Sequence, residues 1–98
     1  QWKQILNVHP SLLPAHAGLM GDEVHQSVLN AGDQESGMTI HVASAEVDKG
    51  PIVLQKRCAV RIDDTVETLR KRVQALEKSG FSEVLQRLYY GEIQILTQ

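Results

Sequence analysis

The chain has 98 residues, enough for one compact core and too few for two, so every element must belong to a single unit. Its 42% hydrophobic and 22% charged residues lie near the ordinary range of globular chains and exclude disordered, collagen-like and membrane compositions. With 10 basic against 12 acidic residues the formal net charge is −2, which leaves no basic field to draw in nucleic acid.

The chain opens Gln1-Trp2-Lys3 without an initiator methionine and runs at once into apolar residues, so a fragment whose upstream part lies elsewhere is expected. The first expected element is a short strand, Gln4 to Val8. It ends in a loop bracketed by Pro10 and Pro14, after which Gly18 and Gly21 keep the backbone irregular. From Asp22 to Ala31, Val24, Val28 and Leu29 recur at helical spacing, with Asp22 and Glu23 suited to the positive N-terminal end and Gly32 beyond the last turn. Met38 to Ala43 alternates Met38, Ile40 and Val42 against Thr39, His41 and Ala43, the period of a strand with two unlike faces.

Asp48-Lys49-Gly50-Pro51 breaks that strand, and Ile52 to Arg61 forms the next. Asp64, with Glu67 three positions on, has the form of a capping box opening a helix in which Val66, Leu69, Val73 and Leu76 share a face. Gly80 is a place for that helix to break before Phe81, Val84, Leu85 and Leu88 continue the apolar face. A last short strand is expected over Glu92 to Leu96. The pattern is α/β.

Cys58, the single cysteine, can form no internal disulfide and has no second thiol for a metal site, so it reads as a small apolar strand residue in a reducing compartment. No apolar run approaches the roughly 20 residues that span a bilayer. The N-terminus shows no charged-then-apolar secretory pattern either, and a cytoplasmic protein away from membranes is expected. His16 and His25 have no partners at metal-ligand spacing, so no metal is expected.

The densest polar cluster is Asn7, His9 and Ser11, where the first strand runs out into its Pro-fixed loop; strand ends are where α/β sheets keep their sites. An asparagine amide donates to a developing oxyanion, and an imidazole titrates near neutrality, a pair suited to acyl transfer. By spacing alone, the plainer reading is that Asn7 satisfies loop backbone groups and His9 is a turn residue. Asp48 precedes Gly50, whose tight path could aim a carboxylate back at a site; an ordinary Asp-x-Gly turn is again the plainer reading. His41, alternating with apolar neighbours, reads as a partly buried strand histidine.

Beyond spacing, Ile5-Leu6-Asn7-Val8-His9-Pro10-Ser11-Leu12-Leu13-Pro14 resembles the signature of the phosphoribosylglycinamide formyltransferase family. Gly37-Met38-Thr39-Ile40-His41-Val42 resembles that family's following strand, Glu46 to Gln55 its active-site aspartate loop, and Asp64 to Leu69 with Arg72-Val73 its late helix. The resemblance covers nearly the whole chain in order. It implies that residues 1–98 are the C-terminal half of a Rossmann-like formyltransferase fold. The implied activity is transfer of the formyl group of 10-formyltetrahydrofolate to the amino group of glycinamide ribonucleotide in purine synthesis, without a metal.

The resemblance also implies roles. Asn7 falls at the amide that binds the formyl oxygen, His9 at the proton donor, and Asp48 at the aspartate that favours the imidazolium form of that histidine. Ser44, Ala45, Glu46, Val47 and Asp48 match the loop around the folate pteridine, Glu77 a glutamate that contacts the ribonucleotide, and His41 a supporting histidine. Ala45 stands where an acidic residue is common, and Lys78 to Ser82 depart from the family's His and Tyr-Pro. The family's Gly-rich phosphate loop and apolar folate segment do not occur in the chain. Alternatives are a 10-formyltetrahydrofolate hydrolase, a tRNA or sugar formyltransferase, or an inactive truncated fragment; His-Pro-Ser-Leu-Leu-Pro favours the ribonucleotide enzyme. Without that phosphate loop and folate segment the chain alone is expected to be inactive, and an uncovered first strand implies self-association through its edge.

Overall fold

The computed structural model describes residues 5–44 and 49–90, and in them the segments of period two pair as strands while the longer helical segment lies against the sheet and the shorter one packs on that helix. In chain order they are strand β1 (Leu6–His9), helix α1 (Asp22–Ala31), strand β2 (Glu35–Val42), strand β3 (Ile52–Ala59) and helix α2 (Val66–Tyr89). The strands form one three-stranded sheet in the order β1-β2-β3, antiparallel at both pairings. The α/β class expected from the sequence is the one observed.

Register decides what the two faces of the sheet carry. Val8 pairs with Ile40 and Ile40 with Leu54, whereas Asn7 pairs with His41, His9 with Thr39, and Thr39 with Gln55. Residues opposite one another share a face, so one face is apolar and the other polar. The apolar face is covered by α2: Met38 and Ile40 join Val28, Leu69, Val73 and Val84 in the buried core, with Leu6, Val8 and Leu54 against it. Each buried aliphatic or Met side chain contributes about 2 kcal/mol. A one-residue slip would expose Met38 and Ile40 and drive His41 and Thr39 into α2, so the register is firmly set.

Helix α1 keeps the expected bounds. It ends on Gly32, whose left-handed φ of 70° lets its N–H reach the Val28 and Leu29 carbonyls. β1 is observed over Leu6–His9, with Gln4 outside the described residues, and β3 stops at Ala59 rather than Arg61. β2 begins at Glu35, ahead of the expected Met38, because Glu35, Ser36 and Gly37 pair with Ala59, Cys58 and Arg57. The strand expected at Glu92 to Leu96 lies outside the described residues.

Two expectations about α2 are corrected. Its capping box is made by Thr65 and Thr68, not by Asp64 and Glu67: the Thr65 hydroxyl accepts from the Thr68 amide at 3.2 Å, and the Thr68 hydroxyl accepts from the Thr65 amide at 2.9 Å. Asp64 is engaged elsewhere, taking Arg72 Nη1 and Nη2 at 2.7 and 2.8 Å on its two oxygens and the Arg61 amide at 2.7 Å. Gly80 does not break the helix. It is buried, and a Cβ there would stand 2.8 Å from Met38 Cε, so the glycine lets α2 lie close against β2.

Candidate active site

The polar face of the sheet is built by alternation. Asn7 and His9, two residues apart on β1, lie on it beside His41 and Thr39 of β2. Asn7, His9 and His41 line a cavity of about 450 Å³ together with Pro10 and the Gly18–Gly21 turn. Asn7 is exposed at this cavity, whereas His9 is 5% and His41 1% exposed.

His9 is held at both ring nitrogens. The Ser11 hydroxyl donates to the Ala15 carbonyl at 2.7 Å, so its oxygen accepts from His9 Nδ1 at 2.9 Å. The Leu19 carbonyl, an acceptor only, faces Nε2 at 3.2 Å. A ring with hydrogens on both nitrogens keeps all three bonds, whereas a ring with its hydrogen on Nε2 alone requires the Ser11 hydroxyl to turn from the Ala15 carbonyl to Nδ1.

The loop that leaves His9 is anchored by residues the sequence reading did not single out. Thr39, fully buried, donates from its hydroxyl to the Ser11 carbonyl at 2.7 Å and accepts from the Leu13 amide at 3.0 Å. Gln55 Nε2 on β3 reaches both Leu13 O at 2.9 Å and Thr39 Oγ1 at 3.0 Å. A threonine and a glutamine directly paired across two strands, on the face shared with a candidate histidine, are the signal that could have marked them.

Of the remaining expected site residues, Ala45, Glu46, Val47 and Asp48 lie outside the described residues. The loop that carries them is fixed at its base. Val42 N donates to Pro51 O at 2.8 Å, Ala43 N to Ile5 O at 2.7 Å, and Gly50 packs directly on the Val42 backbone, where a side chain would not fit. Its base thus adjoins His41 and Asn7. Ser44, where the loop departs, is exposed.

Glu77 is not brought into the Asn7–His9 cavity. It projects from α2, on the apolar side of the sheet, into a second cavity of about 650 Å³ lined by Val8, Gln74, Lys78, Phe81, Ser82 and Leu85. Partial burial raises its carboxyl above the usual carboxylate range. Val8 is a wall of both cavities. Among the described residues, no group of three or more His, Cys, Asp or Glu is arranged to hold a metal, and no helix is long and apolar enough to cross a membrane.

Residues 1–85 match the family described as formyl transferase. The chain is 43% identical over 96 residues to the trifunctional purine biosynthetic protein adenosine-3 of Gallus gallus, covering 97% of this chain and 9% of that protein. It is 46% identical over 85 residues to the chloroplastic phosphoribosylglycinamide formyltransferase of Arabidopsis thaliana, covering 85% of this chain and 29% of that one. Its structure superposes on the glycinamide ribonucleotide transformylase 1 of Symbiobacterium toebii with a TM-score of 0.82 at 41% identity, over 94% of this chain and 42% of that one. The chain thus spans less than half the length of each of these relatives.

Proposed function

The chain belongs to the formyl transferase family, and from that premise we propose that the protein carrying it transfers a formyl group from 10-formyltetrahydrofolate to the amino group of glycinamide ribonucleotide. The observation that carries this reading is the placing of Asn7 and His9 side by side on the polar face of β1, at one cavity, with the His9 ring held at both nitrogens.

In the proposed reaction the substrate amine attacks the formyl carbon. The Asn7 amide donates to the oxygen as negative charge builds there, and a proton from His9 passes to the folate nitrogen as its bond to that carbon breaks. The amine gives up its own proton, which restores the balance. Asp48 would favour the imidazolium form of His9, and Ser44, Ala45, Glu46, Val47 and Asp48 would surround the pteridine. Glu77 would meet the ribonucleotide from the neighbouring cavity, across Val8, with His41 supporting Asn7 from the opposite strand. No metal takes part.

We place the protein in the cytoplasm, its partners being two small molecules, with neither nucleic acid nor membrane. For the 98-residue chain by itself we expect poor turnover and self-association. β1 is an edge strand among the described residues, and Ile5 beside it is 64% exposed. The test is an assay of the full-length protein with both substrates, beside the 98-residue chain: formylation of the ribonucleotide by the former is expected, and release of formate with no product amide would contradict the reading.

A further inference from the structure

The segment from Ala15 to Leu19 holds both ends of the His9 ring. The Ala15 carbonyl terminates the chain that runs from His9 Nδ1 through Ser11 Oγ, and the Leu19 carbonyl faces Nε2. Two turns shape this segment locally: Ala15 N donates to Leu12 O and Ala17 N to Pro14 O. Neither ties it to the helix beside it.

His16, in the middle, makes that tie. Its Nδ1 lies 2.7 Å from Ser27 Oγ on α1, and its Nε2 lies 2.6 Å from Asp33 Oδ2, just beyond the Gly32 that ends the helix. The carboxylate only accepts, so Nε2 carries a hydrogen and the tautomer is fixed. The His16 side chain is 13% exposed. Its backbone has φ 59°, a left-handed conformation that L-residues disfavour and that persists where the surroundings impose it.

We propose that His16 is a positioning residue: bonded to Ser27 and Asp33, it fixes the Ala15–Leu19 segment so that the carbonyls of Ala15 and Leu19 hold the His9 imidazole in place for proton transfer. The inference rests on the reading of His9 as proton donor. A serine, a histidine and an aspartate in hydrogen-bonded series also describe a hydrolytic triad. Ser27, however, lies inside α1, where the backbone N–H groups are engaged in the helical ladder and none beside it remains to hold an oxyanion.

The test uses the full-length protein and the variants His16→Gly, Asp33→Asn and His9→Ala. Glycine accepts the left-handed backbone and removes only the side chain's bonds, whereas in Asp33→Asn the side-chain amide oxygen still accepts from His16 Nε2. His16→Gly should lower kcat on the order of 10-fold or more while KM for both substrates changes little. It should also shift the imidazole ¹⁵N resonances of His9, and Asp33→Asn should retain most of the rate. Wild-type kcat with unmoved His9 resonances in His16→Gly would overturn the proposal. A merely structural role would lower thermal stability without that spectroscopic change. Should His16→Gly not fold, the Ser27→Ala/Asp33→Ala double variant gives the same readout. His9→Ala separates the two claims: if it turns over normally, the proton-donor reading fails; if it is inactive while His16→Gly is not, only the positioning role fails.

Discussion

Thr39 stands directly across the β1–β2 ladder from His9, and its buried hydroxyl bonds Ser11 O and Leu13 N, the backbone groups that carry the chain away from that histidine. The residue opposite the candidate acid on the sheet is thus also the anchor of its loop. A fully buried hydroxyl with three partners is hard to replace. Each buried group left without a partner costs about 1–3 kcal/mol.

Thr39→Val keeps the shape and strips the Ser11 carbonyl, the Leu13 amide and the Gln55 amide of a partner. A loss of about 3 kcal/mol or more in denaturant unfolding of the full-length protein is expected. Thr39→Ser should recover most of it. A valine variant as stable as wild type would show that the loop is held by packing instead.

Asn7→Ala removes, from an exposed position, the amide proposed to donate to the formyl oxygen, so the fold should be unaffected. In steady-state assays kcat should fall on the order of 100-fold or more, with little change in KM. An equal loss in thermal stability and rate would mean that Asn7 works for the fold and not for the oxyanion.

Asp64 is 2% exposed at its side chain, and the Arg72 guanidinium beside it, chiefly through hydrogen bonding, holds its carboxyl well below the usual carboxylate range. Because the folded value is depressed, the stabilisation is present above the unfolded pKa of about 4 and is lost as pH falls through and below it. Arg72→Met should cost about 2 kcal/mol at neutral pH. It should also flatten the decline in stability between about pH 4 and 2. An acid limb as steep as that of wild type would show that Asp64 is not its source.

How far the sequence carries the reader depends on where each partner lies. Helix α1 was legible because its signals are local: Val24, Val28 and Leu29 share a face, and Gly32 ends it. Asn7 and His9 could be placed on one face of a strand because they are two residues apart. The early start of β2 was not legible, since Glu35 to Gly37 are strand-forming only by pairing with Arg57 to Ala59. The cap of α2 was misassigned because Asp64 reads as an N-cap until Arg72, eight residues on, is seen to hold it. The role of His16 has no local signal, since its partners Ser27 and Asp33 lie 11 and 17 residues away. The expected break at Gly80 failed for a related reason, as a contact with Met38 and not a turn explains the glycine.

That contact yields a graded prediction. In Gly80→Ala the new methyl meets the flexible end of Met38, with Cε at 2.8 Å and Sδ at 3.1 Å, which can move. The helix gains about 1 kcal/mol in propensity, roughly offsetting the repacking. Gly80→Leu cannot be accommodated so cheaply and should cost about 1–3 kcal/mol or more. Thermal melts of both variants check this. Equal stability of the two would mean that α2 does not pack closely on β2 at this point.

His9 is proposed to deliver the proton in formyl transfer. The most direct measurement is single-turnover formylation of glycinamide ribonucleotide by the full-length protein, wild type against His9→Ala, with both ligands saturating and folding checked by circular dichroism. Loss of a positioned general acid is expected to slow the chemical step on the order of 100-fold or more, with ligand binding retained. A correctly folded His9→Ala protein that forms product at the wild-type rate would contradict the account.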